Sequence, residues 1–337
     1  MKKLALALLF AAALAPQALA TDLTIMSFNI WGGGANEKKP VDETVAVIKA
    51  VNADVIGIQE TRLESDPCTA DVCPPVGESV AGKIAAALGY HYYDQTAAND
   101  ALWANAILSR YPITGKATKN DTGVTLEVDG RKVHVFNIHL DDSPYQPYQL
   151  LDIPYGDAPF FKTAEEAVAA AQKTREAGLK LLFADMDEAG DADASFVFGD
   201  FNEPSHSDWT EAAVKAGHQP LVVEWPTVKA IEARGFVDTY RKIFPDPAAK
   251  PAFTWTPTSE PTAKDDHHDR IDFIFARAPG LKVECAAIVG RTFSGRRIFG
   301  ANRPGLGGDF GSALGERSAT TFRRPFVRSA RSSLSRS

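Results

Sequence analysis

The sequence has no long apolar run beyond its first twenty residues, no internal repeat, and no linker rich in Pro, Gly or Ser before residue 290. The first absence predicts that the protein makes no stable membrane insertion, because a spanning helix needs about 20 apolar residues in a row. The other two absences favour one large domain. Hydrophobic residues make up 45% and charged residues 23% of the 337 residues, which excludes a disordered chain, a coiled coil and a collagen-like fibre.

The first twenty residues form a pattern of their own. Lys2 and Lys3 are followed by an unbroken apolar run over residues 4–14, and residues 18–20 supply small side chains around a cleavable bond. This order is typical of a secretory signal peptide, and the apolar run is too short to anchor the chain across ~30 Å of hydrocarbon. We therefore predict that residues 1–20 are a signal peptide and that the protein is exported, either to a periplasm or fully secreted.

Cysteine is scarce, with three residues in the whole chain. Cys68 and Cys73 lie five residues apart, and export implies an oxidising compartment, so we predict a disulfide that closes a small loop. A metal site is the alternative, but no further cysteine or histidine lies nearby in the sequence. Cys285 is left over as a predicted buried thiol.

Lysine is absent from residues 291–337, which contain ten Arg and only two acidic residues and so carry a net charge of +8. Hydrophobic periodicity stops there and Ser and Gly replace it, so we predict a disordered tail. Two explanations stay open: out-of-frame translation of a GC-rich gene, which we favour, and a genuine basic tail that binds nucleic acid or a cell surface. Residues 21–290, by contrast, carry a net charge of −17.

The pattern over residues 21–290 mixes strands with helices. Apolar alternation and short apolar runs predict strands at 23–31, 54–60, 101–108, 123–128, 132–139, 195–199, 253–256, 270–276 and 281–289. Helical spacing predicts helices at 41–51, 80–88, 163–186 and 227–234 and after Ser207 as an N-cap. Strands outnumber helices and hairpins mix with crossovers, so the predicted fold class is α/β, of the α+β type, with mixed sheets. Residues 141–161 are predicted to form a long surface loop, and such loops are often functional.

Polar residues end several of the apolar strands, where a buried polar side chain costs free energy unless it is used. They are Asn29, Glu60, Asn137, His139, Asp200, Asn202 and Asp272. Side chains at the carboxyl ends of strands converge in a crevice, and carboxylates with amides suit Mg²⁺, which keeps several waters and accepts phosphate oxygens. Singly, each residue has a plainer interpretation: Glu60 as a solvated loop residue, His139 as a structural histidine, and Gly-Asp-Phe-Asn as a turn.

Taken together and in order, these segments resemble the endonuclease/exonuclease/phosphatase superfamily, which includes secreted deoxyribonucleases, abasic-site endonucleases, sphingomyelinases and inositol-phosphate phosphatases. The segments are Met26-Ser-Phe-Asn-Ile-Trp31, Ile58-Gln-Glu60, Asn105-Ala-Ile-Leu-Ser-Arg110, Asn137-Ile-His139, Gly199-Asp-Phe-Asn202 and Arg270-Ile-Asp-Phe-Ile274. The resemblance covers most of residues 22–290. It implies a four-layer sandwich in which two mixed β-sheets pack face to face and helices flank them.

The resemblance also implies a role for each site residue. Glu60 would ligate Mg²⁺, with Mn²⁺ or Ca²⁺ as alternatives, and Asn29 beside it would contact the metal or the phosphate. Asp200 would position or activate the attacking water, and Asn202 would hold that water or the scissile phosphate. His139 would bind phosphate or donate a proton.

One part of the family pattern is missing. Family members carry Ser-Asp-His before a final strand, and the acid that matches Asp272 orients this histidine, which acts as a general base or stabilises the transition state. No Ser-Asp-His occurs in this chain, whose last histidine is His268; it and His267 are expected at the rim of the site. Losing a general acid or base typically lowers a rate by about 10²- to 10⁴-fold, and losing the final strand would leave a sheet edge unpaired.

The predicted function is a secreted, Mg²⁺-dependent hydrolase that cleaves a phosphodiester or phosphomonoester by metal-assisted attack of water. The charge of −17 weighs against tight nonspecific binding of nucleic acid, so a small phosphodiester or a lipid headgroup fits at least as well. Tyr148, in the loop that follows His139, is predicted to contact the substrate. Three alternatives stay open: a nuclease acting on DNA or RNA, a binding protein that has lost turnover, and a defective gene product. No protein partner is predicted.

Overall fold

The structure is a computed structural model that describes residues 22–63, 79–256, 259–260, 263–289 and 318–323. The predicted signal peptide and the predicted disulfide between Cys68 and Cys73 lie outside the described residues. Cys285 is a free, half-buried thiol. No helix in the described ranges is long and apolar enough to cross a membrane.

The described ranges contain both strands and helices. The strands are β1 (Leu23–Asn29), β2 (Val55–Gln59), β3 (His91–Gln95), β4 (Asn105–Ser109), β5 (Ile113–Lys116), β6 (Gly123–Val128), β7 (Arg131–His139), β8 (Ala194–Asp200), β9 (Val237–Asp238), β10 (Asp272–Arg277), β11 (Lys282–Ile288) and β12 (Ser318–Arg323). The helices are α1 (Val41–Val51), α2 (Val80–Leu88), α3 (Gln146–Leu150), α4 (Ala164–Ala189), α5 (Glu211–Lys215), α6 (Pro226–Glu232) and α7 (Thr239–Ile243), with a 3-10 helix at Gly32–Glu37.

The described strands form two six-stranded sheets, in the orders β11-β12-β1-β2-β4-β3 and β5-β6-β7-β8-β10-β9. In each sheet one central pair is parallel, β1 with β2 and β7 with β8, and its other pairs are antiparallel. Apolar side chains from both sheets, such as Ile25 and Phe198, form one core between them. Helices α1 and α2 cover the outer face of the first sheet, and α4 and α6 cover that of the second. The predicted four-layer sandwich is confirmed.

The longest helix shows how the local sequence sets an element. The hydroxyl of Thr163 accepts a hydrogen bond from the backbone N–H of Glu166, and the Glu166 carboxylate accepts one from the N–H of Thr163. This capping box satisfies backbone donors that the first turn leaves without helical partners. The helix predicted at 163–186 is thereby confirmed as α4.

Two predicted elements are wrong. Helix α5 begins at Glu211, and its N-cap is Thr210 rather than Ser207. The strand predicted at 253–256 is reduced to one bridge between Trp255 and Asp269. The hydroxyl of Thr254 accepts the backbone N–H groups of the two residues that precede and begin β10, so a side chain takes the place of a backbone ladder.

Residues 318–323 differ from the prediction of a disordered tail. Strand β12 lies between β1 and β11 and is antiparallel to both, with Ser27 opposite Ser318. Its Thr-Thr-Phe core is rich in strand-forming residue types, although it lacks the alternation that would have identified it. The edge of β1 is therefore paired. The rest of 291–337 lies outside the described residues, and the out-of-frame origin stays a prediction.

Amide side chains fill part of the interior between the sheets. The Asn137 side-chain nitrogen donates to the Ile58 carbonyl at 3.0 Å and to Gln95 Oε1 at 2.9 Å, and its oxygen accepts from Gln59 Nε2 at 2.5 Å. Asn137, which the sequence grouped with the strand-end residues, is therefore fully buried and outside the site. Its hydrogen bonds fix β7 of one sheet against β2 of the other.

Gly57, on β2, allows the two sheets to approach closely beside Asn137. A Cβ there would overlap the ring of Phe198 and lie 2.6 Å from Asn137 Oδ1. We expect Gly57→Ala to lower the free energy of unfolding by about 1–3 kcal/mol, because overpacking forces neighbours to shift. Gly115→Ala is the control, since its nearest neighbour would be Thr125 Cβ at 3.7 Å. Equal stability of the two variants in denaturant titrations would contradict the prediction.

Candidate active site

Four strands end in polar residues at one edge of the sandwich. Asn29 ends β1, Glu60 follows β2, His139 ends β7 and Asp200 ends β8. Because β1 pairs in parallel with β2 and β7 with β8, the carboxyl ends of each pair meet at the same edge. The facing sheets then bring both pairs to one place.

Two carboxylates from different sheets converge on one amide. Asn29 Nδ2 donates to Glu60 Oε1 at 2.7 Å and to Asp200 Oδ2 at 3.1 Å. The Asn29 side-chain oxygen accepts from the backbone N–H of Trp31 at 2.9 Å, which fixes the orientation of the amide. Asn29 therefore orients the two carboxylates in this arrangement, and its role as a metal ligand stays a prediction.

The backbone at Glu60 is held by a glycine turn. Glu60 has a positive φ of 56°, a conformation that few non-glycine residues adopt. Its carbonyl accepts the N–H of Gly33 at 2.7 Å. A Cβ at Gly33, whose φ is 68°, would lie 2.8 Å from the Thr61 carbonyl oxygen, so this close approach requires glycine.

The imidazole of His139 faces both carboxylates. Its Nε2 lies 3.9 Å from Glu60 Oε1 and 3.9 Å from Asp200 Oδ2. Its Nδ1 is buried and has no hydrogen-bond partner among the described residues. The edge of Trp103 packs against the ring, with centroids 6.4 Å apart. Nε2 is therefore the ring nitrogen that faces the carboxylates, where an imidazole can bind a phosphate oxygen or transfer a proton.

Asp200 is held by the backbone that follows it. Its Oδ1 accepts the N–H of Asn202 at 2.9 Å, and Asn202 Nδ2 donates to the Leu140 carbonyl at 2.9 Å. Burial raises the pKa of the Asp200 carboxyl, and His139, the Asn202 N–H and Asn29 partly oppose this shift. Both bonds place Asn202 beside Asp200, and its role in holding the water or the phosphate stays a prediction.

Asp272 lies beside Asp200. It begins β10, where it is directly opposite Asp200 in the antiparallel register, and it is buried. The two histidines expected at the rim have other partners: His267 Nε2 lies 2.7 Å from Gln219 Oε1 and His268 Nε2 lies 3.1 Å from Ser259 Oγ. Asp272 is thus brought into the site, whereas a role in orienting a histidine stays a prediction.

The substrate contact predicted at Tyr148 does not fit the structure. Tyr148 is 7% exposed, its hydroxyl donates to Asp266, and it accepts from the indole N–H of Trp255 at 3.0 Å. Burial, together with the hydrogen bond to Asp266, raises the pKa of the Tyr148 hydroxyl. Tyr148 therefore supports Trp255, which is 37% exposed, rather than facing a ligand itself.

A buried arginine behind the site was missed from the sequence. Arg175 Nε donates to the Phe201 carbonyl at 3.3 Å, and its Nη2 donates to the Asn202 carbonyl. A signal was present: Ala167, Ala171 and Arg175 follow at four-residue spacing on the buried face of α4. A charged residue on the apolar stripe of a helix indicates a fixed internal partner.

The donor set at this edge fits a hard divalent cation. No group of three or more His, Cys, Asp or Glu side chains in the described ranges is arranged to hold a metal. Mg²⁺, however, is usually bound through one or two carboxylates plus waters and substrate phosphates. Glu60 supplies one such carboxylate, and Asp200, which shares the donor Asn29 with it, lies beside it.

Comparison with known proteins identifies the family. The model of the Endonuclease/Exonuclease/phosphatase family matches residues 26–292. The chain belongs to this family. An uncharacterized protein of Caenorhabditis elegans, F14F9.5, is 30% identical over 266 residues, which cover 76% of this chain and 79% of that protein. Members of the family are hydrolytic phosphoesterases and nucleases and generally depend on a divalent metal.

A solved structure of the family shares the fold. A family protein from Leptotrichia buccalis matches with a TM-score of 0.52 at 15% identity, over 89% of this chain and 99% of that one. An AP endonuclease from Archaeoglobus fulgidus matches with a TM-score of 0.49 at 15% identity, over 90% of this chain and 100% of that one. At this identity the likeness to the Leptotrichia protein concerns the fold alone.

Proposed function

We propose that this chain is an exported, Mg²⁺-dependent hydrolase of a small phosphoester. The observation that carries the proposal is the convergence of Glu60 and Asp200 on the Asn29 amide, with His139 3.9 Å from both carboxylates. A bound Mg²⁺ would neutralise charge that develops on the phosphoryl oxygens. Glu60 is the residue that would hold it, and Asn29, which donates to the Glu60 carboxylate, lies beside it.

Hydrolysis requires two proton transfers, and we assign one to Asp200 and the other to His139. Asp200, whose pKa is raised by burial, accepts a proton from the water that attacks phosphorus. His139 donates a proton to the leaving oxygen as the P–O bond breaks. All seven histidines of the chain lie in the described ranges, and His139 is the one that lies within 4 Å of Glu60 and Asp200. We therefore assign the proton donor to His139.

Charge supports a small substrate. Residues 21–290 carry −17, and binding of a nucleic-acid backbone relies on Lys and Arg that replace its counterions. We expect a small phosphodiester to be hydrolysed faster than double-stranded DNA at equal phosphate concentration and 0.15 M salt. Faster hydrolysis of DNA would replace the small-substrate proposal with the nuclease alternative.

Metal dependence tests the reaction class. With a chromogenic phosphodiester, we expect hydrolysis to stop in excess chelator and to return with Mg²⁺. Glu60→Gln removes a proposed ligand charge and is expected to raise the Mg²⁺ concentration for half-maximal activity by at least about 10-fold. Glu127→Gln is the control, because Glu127 is exposed on β6. Activity that persists in chelator would contradict the proposal, and Mg²⁺ binding without any turnover would favour the binding-protein alternative.

A further inference from the structure

A buried arginine lies behind the active site and binds the backbone that follows Asp200. Arg175 is 1% exposed. It donates from Nε to the Phe201 carbonyl at 3.3 Å and from Nη2 to the Asn202 carbonyl. These two carbonyls directly follow Asp200 in the chain. The planar fork of arginine allows one side chain to hold both.

The positive charge of this guanidinium is balanced locally. The Glu203 carboxylate lies 3.7 Å from Arg175 Nη1, and both side chains are fully buried. Burial lowers the pKa of Arg175 and raises that of Glu203, and each charge opposes the shift of the other. A buried pair is weak evidence for stability, because desolvation offsets much of the attraction. We therefore consider this ion pair for the groups that it holds in position and not for the stability that it adds.

The same guanidinium reaches the long loop after His139. Nη1 donates to Gln146 Oε1, and Gln146 is fully buried in α3. Asn202 Nδ2 in turn donates to the Leu140 carbonyl, one residue beyond His139. Arg175 thus links two segments that deliver site residues from neighbouring strands.

The backbone that Arg175 holds is in an uncommon conformation. Asn202 has a φ of 48°, in the left-handed region that costs most residues free energy. In this conformation its N–H points at Asp200 Oδ1, 2.9 Å away. Release of the Asn202 carbonyl would loosen both Asn202 and the Asp200 carboxylate.

We infer that Arg175 is a positioning residue, which through the carbonyls of Phe201 and Asn202 sets the orientation of Asp200 and Asn202 for catalysis. The inference rests on the proposed function only for its kinetic consequence. A displacement of about 1 Å in a catalytic group can lower the rate by about 10²-fold. Binding of substrate depends less on this orientation, so kcat should fall while KM is retained.

Arg175→Lys tests the inference, because lysine keeps the charge but cannot span three acceptors with one nitrogen. We expect kcat for the chromogenic diester to fall about 10- to 100-fold and KM to change by less than about 3-fold. Arg241→Lys is the matched control. Arg241 is also buried and pairs with a carboxylate, Asp208. Like Arg175 it donates to main-chain carbonyls, in this case those of residues 244 and 250. It should lose comparable stability and keep kcat.

A second measurement does not require turnover. In metal-free protein, the Asn202 amide should exchange its hydrogen at least about 10-fold faster in Arg175→Lys than in Arg241→Lys, because opening of this segment becomes easier. If Arg175→Lys does not fold, Glu203→Gln removes the charge partner and should change the exchange in the same direction. Unchanged exchange at Asn202 would overturn the inference whatever the kinetics. If the wild-type chain hydrolyses no phosphoester, the proposed function fails and the exchange measurement still decides the role of Arg175.

Discussion

Replacing Asp200 with asparagine is expected to lower kcat by about 10²- to 10⁴-fold, the usual contribution of a general base. Asparagine keeps the size of the side chain and one acceptor for the Asn202 N–H, but it cannot take a proton from water. Because burial raises the folded-state pKa of Asp200, the stability linked to this carboxyl is present at low pH and is lost as pH rises through that pKa. At neutral pH the substitution should therefore not lower the free energy of unfolding of metal-free protein, because asparagine removes the cost of a buried charge.

Asp185→Asn is the control variant, and it is expected to lose stability but to keep kcat. Asp185 is fully buried in α4, and its two oxygens accept from the Thr122 N–H at 2.9 Å and from the Asn120 N–H at 3.0 Å. Asparagine can accept at only one of these atoms, so the free energy of unfolding should fall by about 1–3 kcal/mol while kcat is kept. Thermal unfolding and initial rates measured on both variants distinguish a catalytic role of Asp200 from a structural one. An Asp200→Asn variant that retains more than a tenth of wild-type kcat would remove Asp200 from the role of base.

His139→Gln is expected to lower kcat by a similar factor, about 10²- to 10⁴-fold. The family's terminal Ser-Asp-His is missing, and of the seven histidines His139 is the one within 4 Å of Glu60 and Asp200. Glutamine keeps a polar group there but cannot donate a proton as an imidazolium does. Substrates with a better leaving group should lose less activity, because they need less protonation at the leaving oxygen.

His134→Gln is the control on the same strand. The two ring nitrogens of His134 lie 2.9 Å from Thr125 Oγ1 and 3.1 Å from the Ala189 carbonyl oxygen, and the side chain is buried. Its loss should lower stability by about 1 kcal/mol and leave kcat unchanged. If both variants lose activity in proportion to their loss of folded protein, His139 has only a structural role.

Strand periodicity made the site largely predictable, because a strand that ends in a polar residue is a local pattern. The depth of each residue was not predictable in the same way. Asn137 and His139 share one face of β7, since they are two residues apart. They are about 7 Å apart along the strand. This distance is enough to place Asn137 between the sheets and His139 at their edge.

Non-local partners account for what the sequence concealed. The hydroxyl of Tyr148 is taken up by Asp266 and Trp255, more than a hundred residues further along the chain, so an apparently available tyrosine is buried. The apolar stripe of α4 predicted a packed helix, but the reason for a charge on it lies in the carbonyls of Phe201 and Asn202. Such contacts depend on how elements pack, which local patterns do not encode.

The position of β12 has a consequence for the order in which the molecule assembles. Among the strands that the structure describes, β1 comes first in the chain and its neighbour β12 comes last, with Ser27 opposite Ser318. Pairings across so much of the sequence form slowly, because a long loop must close first. The parallel pairs β1 with β2 and β7 with β8 close far shorter loops. We therefore expect the edge that carries Asn29, Glu60, His139 and Asp200 to form early, while the opposite flank of β1 stays unpaired until residues 318–323 dock.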